Sequence, residues 1–563
     1  MIKLGVSGLF HDSAAALVQD GTVVAAVHEE RHSKVKHDSR FPINAINECL
    51  SLSQISLSDI DEVVWYEDID LKLRRTRELI SANFPKSRDL FQRLKSAEVR
   101  TSDDLKDMLR RQLGYRGKVV FSNHHSSHFM STLPLFQNTS DRVLGIVLDG
   151  VGEYRSCSAW IFKDGQLTET WGLDLPHSLG LVYGAITQIV GFEVNDGEYK
   201  TMGLASYGIP RYSDRLLSDV FDISGQDFQV KPGLLNLLSG ERQYEDKLLQ
   251  IFDLPSDFNP QSNNGFEIRA NIAASIQDAL NQLVLMVTQK LIAEHKPDVV
   301  TFSGGVALNC TTMAHVSRNI NQRVLIQPAA GDAGASIGAA FLDNRSKIGN
   351  RGISFSPYLG GLSGNLLEYE SLSRRARQDG FAIADISPHD IANFLAQGKI
   401  VGLVQGRAEF GPRALGNRSI LASPLTAEMK DVLNSRIKFR EEFRPFAPVV
   451  LDSEYSNYFE DLGSPSDEHM LFTVKSLMPH KIPAVTHVDG TSRVQRLKHG
   501  VNPLLQEILE EFRQSTGVPV LALTSFNLKG EPMVQSVIDA YKTFVRCGID
   551  ILVTEVFSIT KFR

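Results

Sequence analysis

Five residues, His124–His125–Ser126–Ser127–His128, follow the apolar run Val119–Val120–Phe121. A strand that ends and a helix that begins there puts His124 and His128 one turn apart on one face. Two imidazoles at that spacing can bind one metal ion. Position 125 is histidine, so the glutamate base of an HExxH zinc protease is absent and that chemistry is excluded. Asp149, in Asp149–Gly150–Val151–Gly152–Glu153, and Asp332, in Gly331–Asp332–Ala333–Gly334, both sit in glycine-rich turns after apolar runs. If those turns face one cleft, two imidazoles and two carboxylates with open positions suit Fe²⁺, Mn²⁺ or Zn²⁺ acting as a Lewis acid. The bland reading of each aspartate is a turn residue bonded to its own backbone. His11, beside Asp12, is a candidate general base, its bland role being to close the first turn.

A second set of residues is cationic. Arg407, Arg413, Arg418, Lys438, Arg444 and Arg493 stand near glycine, proline and hydroxyl residues, in a chain whose net charge is −7. Arginine grips phosphate and carboxylate bidentately, so the set suits a pocket for charged phosphates. A solvated basic face is the alternative. Placement in turns between buried strands, not on a polar helix, favours the pocket. Between the two sets, Ser303–Gly304–Gly305 joins a strand to the segment ending in Asn309, a place where backbone N–H groups approach a phosphate or ribose.

These residues need elements to position them. Residues 2–7 read as a strand, Ser7–Ser13 as a turn, 14–19 as a strand, Asp20–Gly21 as a hairpin and 22–28 as a strand. The order recurs: strand 144–148, turn from Asp149, strand 158–162 and Asp164–Gly165. A duplicated α/β fold with its ligand in the cleft between the halves is expected. Residues 267–295 read as a long amphipathic helix. Composition shifts at about Asn344 to a Gly/Ser/Asn-rich stretch, after which an α/β pattern restarts.

At 563 residues the chain exceeds one hydrophobic core, so at least two domains are expected. Mixed charge with a negative balance argues against a nucleic-acid-binding surface. Cys49, Cys157, Cys310 and Cys547 form no CxxC and read as reduced cytosolic thiols. A strand beginning at Ile2 and the lack of a bilayer-length apolar run lead to the expectation of a cytoplasmic protein without leader or membrane span.

Taken together the chain resembles the O-carbamoyltransferase family of antibiotic and nodulation-factor biosynthesis. The resemblance covers almost the whole sequence. It rests on Phe10–His11–Asp12–Ser13–Ala14–Ala15, Glu29–Glu30–Arg31, the His124/His128 pentad, Asp149–Gly150, Lys200–x–Met202–Gly203–Leu204–Ala205 and Gly304–Gly305–Val306–x–x–Asn309. In the second half it rests on Gly411–Pro412–Arg413–Ala414–Leu415–Gly416, Phe443–Arg444–Pro445–Phe446–Ala447–Pro448 and Thr524–Ser525–Phe526–Asn527. The family usually carries asparagine before this last segment; Leu523 here puts one polar nucleotide contact in doubt.

The resemblance implies an N-terminal domain, 1–345, of the actin/Hsp70/sugar-kinase (ASKHA) class, a linker at 346–366, and a YrdC-like α/β domain at 367–563. It implies that the second domain makes carbamoyl adenylate from carbamoyl phosphate and ATP with Mg²⁺. The first then passes the carbamoyl group to a hydroxyl of a small-molecule natural product or glycan, assisted by Fe²⁺. An adenylate is a hydrolysis-prone mixed anhydride, so shielding it from water is the reason for coupling two domains. By matching position, His124, His128, Asp149 and Asp332 hold the metal, His11 is the base and Lys36 lies close to the acceptor or adenylate. Gly304, Gly305 and Asn309 hold adenosine, while Arg413, Lys438, Arg444, Arg493, Thr524 and Ser525 bind carbamoyl phosphate and ATP. A homodimer is expected by analogy. Two other classes compete: a tRNA threonylcarbamoyl-type enzyme, which the charge balance disfavours, and a non-catalytic nucleotide-binding regulator, which the intact ligand set disfavours.

Overall fold

The computed structural model describes residues 1–561 apart from 137–140, 239–240, 262–264, 343–354 and 386. The expected linker therefore lies partly outside the described residues. The chain divides into two compact units. The first comprises Met1–Val24, Arg40–Ile43 and Gln54–Phe355; the second comprises Ala25–Ser39, Asn44–Ser53 and Ser356–Arg563.

The first unit is built twice on one plan. Strands β1 (Ile2–Ser7), β2 (Ala14–Gln19), β3 (Thr22–His28), β4 (Glu62–Trp65) and β5 (Lys118–Phe121) form a sheet of order β3-β2-β1-β4-β5. Helices α1 (Ile69–Asn83) and α2 (Arg88–Ser96) lie between β4 and β5, and α3 (His124–Met130) follows β5. Strands β6 (Val143–Leu148), β7 (Arg155–Lys163), β8 (Gln166–Asp174), β9 (Val299–Ser303) and β10 (Arg323–Ile326) repeat the order as β8-β7-β6-β9-β10. In each sheet the first strand pairs antiparallel with the second and parallel with the fourth. Asp20–Gly21 and Asp164–Gly165 all take positive φ, the left-handed pair that a two-residue hairpin turn requires. The expected duplication is borne out, and the periodic segments become α4 (Leu179–Ile189) and the long α5 (Gly265–His295).

Helix α6 (Asp332–Ala340) follows β10 as α3 follows β5. Its sequence, Asp–Ala–Gly–Ala–Ser–Ile–Gly–Ala–Ala, is nearly all small. A Cβ on Gly338 would overlap the Ser127 carbonyl oxygen of α3, so the small residue permits the two helices to touch backbone to backbone. All seven residues of α3 are buried.

The second unit centres on an eight-stranded mixed sheet. Its strands are β11 (Ala382–Ala384), β12 (Val401–Val404), β13 (Arg418–Ala422), β14 (Ala447–Leu451), β15 (Gln495–Leu497), β16 (Val520–Ser525), β17 (Ile551–Val553) and β18 (Ser558–Thr560). Their order is β11-β18-β17-β12-β13-β16-β14-β15. Leu523, where the family pattern has asparagine, is buried in this sheet opposite Leu421 and Ala447.

Candidate functional site

The duplication brings the chemistry together. The turn after the first strand of each half carries His11 in one case and Asp149 in the other; the helix after the fifth strand carries His124 and His128 or Asp332. Asn123 caps α3, accepting from the Ser126 N–H at 3.0 Å, and this sets the register that points both outer histidines the same way.

Among the described residues, His124, His128, Asp149 and Asp332 offer ligand atoms that all lie within 4.8 Å of one another, and all four are buried. His124 Nε2 is 3.2 Å from His128 Nε2 and 3.2 Å from Asp149 Oδ2. Asp332 Oδ1 is 3.4 Å from His128 Nε2 and 3.8 Å from His124 Nε2. Donors about 2.0–2.2 Å from one shared ion stand roughly 3–3.5 Å apart, so the set fits a divalent transition metal. Two imidazole nitrogens facing each other also need a cation or a proton between them. The other oxygen of Asp149, Oδ1, accepts the Gly305 N–H at 3.0 Å. One of the amides expected to approach a nucleotide therefore orients a metal-site carboxylate. Gly304, at φ 88°, brings this backbone against the Leu148 carbonyl, where a Cβ would overlap it.

His11 adjoins the cluster. Its Nδ1 bonds Asp12 Oδ2 at 3.0 Å, and its Nε2 is 3.8 Å from Asp332 Oδ2. Asp332 thus turns one oxygen to the histidine pair and the other to His11. Burial opposes a charge on His11, but Asp332 and Asp12 outweigh it and lift its pKa to about 9. Burial likewise opposes charge on His124, and Asp149 and Asp332 lift it to about 9. In the metal-free chain, protons balance the two carboxylates. His125 points away: its Nδ1 bonds Ser158 Oγ at 2.8 Å, and burial pushes its pKa well down.

Glu153 is a residue that the sequence did not single out. Buried in the same turn as Asp149, its carboxylate accepts from the backbone N–H groups of Asp68 (2.7 Å) and His124 (2.8 Å) and from Asn123 Nδ2 (3.0 Å). It pins the first turn of α3. No local pattern betrays it, because its partners lie on other elements.

Asn309 caps the helix Cys310–Arg318 and exchanges side-chain hydrogen bonds with Gln277 at 2.9 and 3.2 Å. Lys36 is half-buried and belongs to the second unit.

In the second unit the cations separate into two kinds. Arg418 is fully buried and all five of its N–H groups are taken by carbonyl oxygens, those of Gln535, Gln405, Asn417, Gly361 and Gly406. Arg407 bonds the carbonyls of Gly360 and Leu359. For Arg418 the expectation of phosphate binding is corrected, since its charge clamps loops; Arg407 gives part of its fork to the same use. Lys438 is buried, with its ammonium 2.6 Å from Ser525 O, 3.2 Å from Ser525 Oγ and 2.8 Å from Asn527 Oδ1. Burial, then Arg440 and Arg444, push its pKa well down. The structure thus joins Lys438 to Ser525, with Thr524 adjacent on β16 and Arg444 close enough to act on its charge. Arg413, on the loop between β12 and β13, and Arg493, ending the strand Thr491–Arg493, are half-buried.

Comparison with known proteins finds two family matches along the chain. Residues 2–341 match the family described as Carbamoyltransferase N-terminus and residues 392–561 match Carbamoyltransferase C-terminus. The chain belongs to the carbamoyltransferase family and is a carbamoyltransferase. It is 37% identical to the uncharacterized protein sll1178 of Synechocystis, over 99% of this chain and 96% of that one. It is 32% identical to the nodulation protein NolNO of Sinorhizobium fredii, over 98% of this chain and 79% of that one. The uncharacterized protein MJ1058 of Methanocaldococcus jannaschii is 28% identical over 100% of both chains. Among the described residues no helix is long and apolar enough to cross a membrane.

Proposed function

We propose that the protein is an ATP-dependent O-carbamoyltransferase that divides its labour between the two units. The first is read as an ASKHA-type transfer domain and the second as a YrdC-like domain. In the second, carbamoyl phosphate, ATP and one water become carbamoyl adenylate, phosphate and pyrophosphate. Arg413, Lys438, Arg444, Arg493, Thr524 and Ser525 hold the anions there, Lys438 by fixing the Ser525–Asn527 loop. In the first unit, an acceptor hydroxyl attacks the carbamoyl carbon, the bond to AMP breaks, and the carbamate ester and AMP are the products. Gly304, Gly305 and Asn309 form the adenosine side of that site.

The observation that carries this reading is the buried four-donor cluster with His11 at its edge, in a chain of the carbamoyltransferase family. His124, His128, Asp149 and Asp332 would hold a divalent transition metal, Fe²⁺ by family resemblance. Such an ion supplies Lewis-acid charge to a carbamoyl or phosphate oxygen. Asp12 holds Nδ1 of His11, and a cation bound among the carboxylates would offset the charge that otherwise keeps His11 protonated, freeing Nε2 to take the hydroxyl proton of the acceptor. Burial of the cluster keeps bulk water from the adenylate. Incubation with ATP, carbamoyl phosphate, Mg²⁺ and Fe²⁺ should release pyrophosphate. No release, with or without an alcohol present, overturns the reading.

A further inference from the structure

A cavity of about 180 Å³ lies in the first unit between its two halves. Leu79 of α1 and Leu90 of α2 come from the first half; Leu175 after β8, Leu181 of α4, Leu235 and Leu237 come from the second. All six leucines are half-buried, so their apolar faces line a space still in contact with solvent. Val151 completes the wall, and it lies two residues beyond Asp149 in the turn that borders the metal cluster. The turn is fixed on both sides of the cavity: Arg75, another lining residue, bonds the Gly152 carbonyl, and the Glu153 carboxylate holds the His124 N–H at 2.8 Å. One more lining residue, Gln243, has a buried side-chain oxygen with no hydrogen-bond partner among the described residues, an acceptor for a ligand O–H or N–H.

We infer that this cavity is the part of the acceptor site that selects the substrate, and that it takes an aliphatic or aromatic substituent of the acceptor alcohol. The inference rests on the O-carbamoyltransferase reading above and names the class of acceptor. Six leucines and a valine, interrupted by Arg75, Thr76, Asn236 and Gln243, recover their apolar burial from an occupant that is largely apolar. A dry cavity of about 150 Å³ accommodates benzene, so the substituent here has about six to eight carbons. Val151 joins one wall of the cavity to the Asp149 turn, so the inferred occupant's hydroxyl-bearing end is assigned to that side. A wholly polar sugar would leave the leucine wall wet.

The test uses n-alkyl β-D-glucosides, methyl to decyl, titrated calorimetrically into the full chain. Affinity should rise about threefold per methylene and level off near six to eight carbons. Leu79→Trp, which fills the cavity, should move the plateau to shorter chains. Leu79→Ala, which enlarges it, should move it to longer ones. Leu90→Trp and Leu90→Ala repeat the experiment from the opposite wall if either Leu79 variant fails to fold. Opposite shifts support the inference, because a merely loosened protein moves both variants the same way. Affinity independent of chain length, or a plateau that none of the variants moves, overturns it. Length-dependent binding together with no pyrophosphate release from ATP and carbamoyl phosphate removes the transferase reading while leaving the cavity as a binding site.

Discussion

Two buried sets of charged side chains, one in each unit, sit among glycine turns and differ in what their polar atoms do. In the first unit four side chains converge, and His124 Nε2, His128 Nε2 and Asp332 Oδ1 face one another within 3.8 Å. Those atoms point at a common space. In the second unit Arg418 is as deeply buried, yet its five donors end on five backbone carbonyls. Both sets bring charge to turns and helix starts beside buried strands. What separates a site from a clamp is whether the polar atoms are satisfied by the fold or left facing one another.

The largest effect should come from breaking the convergent set. Asp332→Asn or His128→Ala removes a donor on which the other three depend. Transfer to an acceptor should fall at least about 10³-fold, and the purified variant should carry no stoichiometric metal by elemental analysis. Pyrophosphate release in the second unit should persist. Loss of both activities together would contradict the division of labour.

Arg418→Met breaks the clamp. Five carbonyls lose an Arg418 donor, those of Asn417 and Gly361 keeping a second one from Gln405 and Ala408 N–H, and the change costs about 3–5 kcal/mol in denaturant unfolding. The fraction still folded should release pyrophosphate with unchanged affinity for carbamoyl phosphate, since no N–H of Arg418 is left for an anion. A folded Arg418→Met protein with wild-type stability and lost affinity would place this arginine in the pocket after all.

Glu153→Gln sharpens the first half of the comparison. The amide keeps an acceptor oxygen for His124 N–H but loses the charge that gathers two donors at the start of α3 and the Asp68 N–H at the start of α1. Metal affinity should drop about tenfold, in the range of outer partners that orient ligands. Unfolding stability should change little.

Much of the first unit was legible because its signals are local. The two Asp–Gly hairpins require φ > 0, apolar runs bounded by them are strands, and the matched order announces a duplication. The placement of His124 and His128 on one face followed from helical spacing. Their union with Asp149 and Asp332 followed from the family resemblance, and in the fold it arises from the symmetry of two turns and two helices. Other features were hidden. Arg407 and Arg418 look in sequence like Arg413, because which carbonyls surround a guanidinium is decided by distant loops such as 359–361 and Gln535. Glu153 and the leucine cavity depend on residues 68–90 and 175–243 meeting in space, where no motif exists. Residues 25–39 and 44–53 belong with the second unit, an interleaving that no linker composition could announce.

A smaller effect compares two buried aspartates. Asp332 is held below the ordinary carboxylate range: burial pushes it up, but His11, His128 and His124 push it further down. Asp467, in the second unit, is raised to about 7. Burial dominates, Arg496 offsets part of it, and Asp461 and Glu468 add to it. Its Oδ2 is 3.5 Å from an Arg496 shared with Asp452 and Asp461, and its Oδ1 is buried without a hydrogen bond among the described residues. A carboxyl whose folded pKa lies above its unfolded value binds more protons when native, so stability falls as pH rises. The contribution of Asp467 is fully present below the unfolded value of about 4 and is lost as pH approaches 7. Asp467→Asn fixes the uncharged form. Its melting temperature should match the wild type near pH 4 and exceed it by about 2–4 °C at pH 8, measured without metal or nucleotide. A variant less stable than wild type at pH 8 would mean that the Arg496 pair outweighs the desolvation of Asp467. The second unit would then hold its buried carboxylates as the first does, through nearby positive charge.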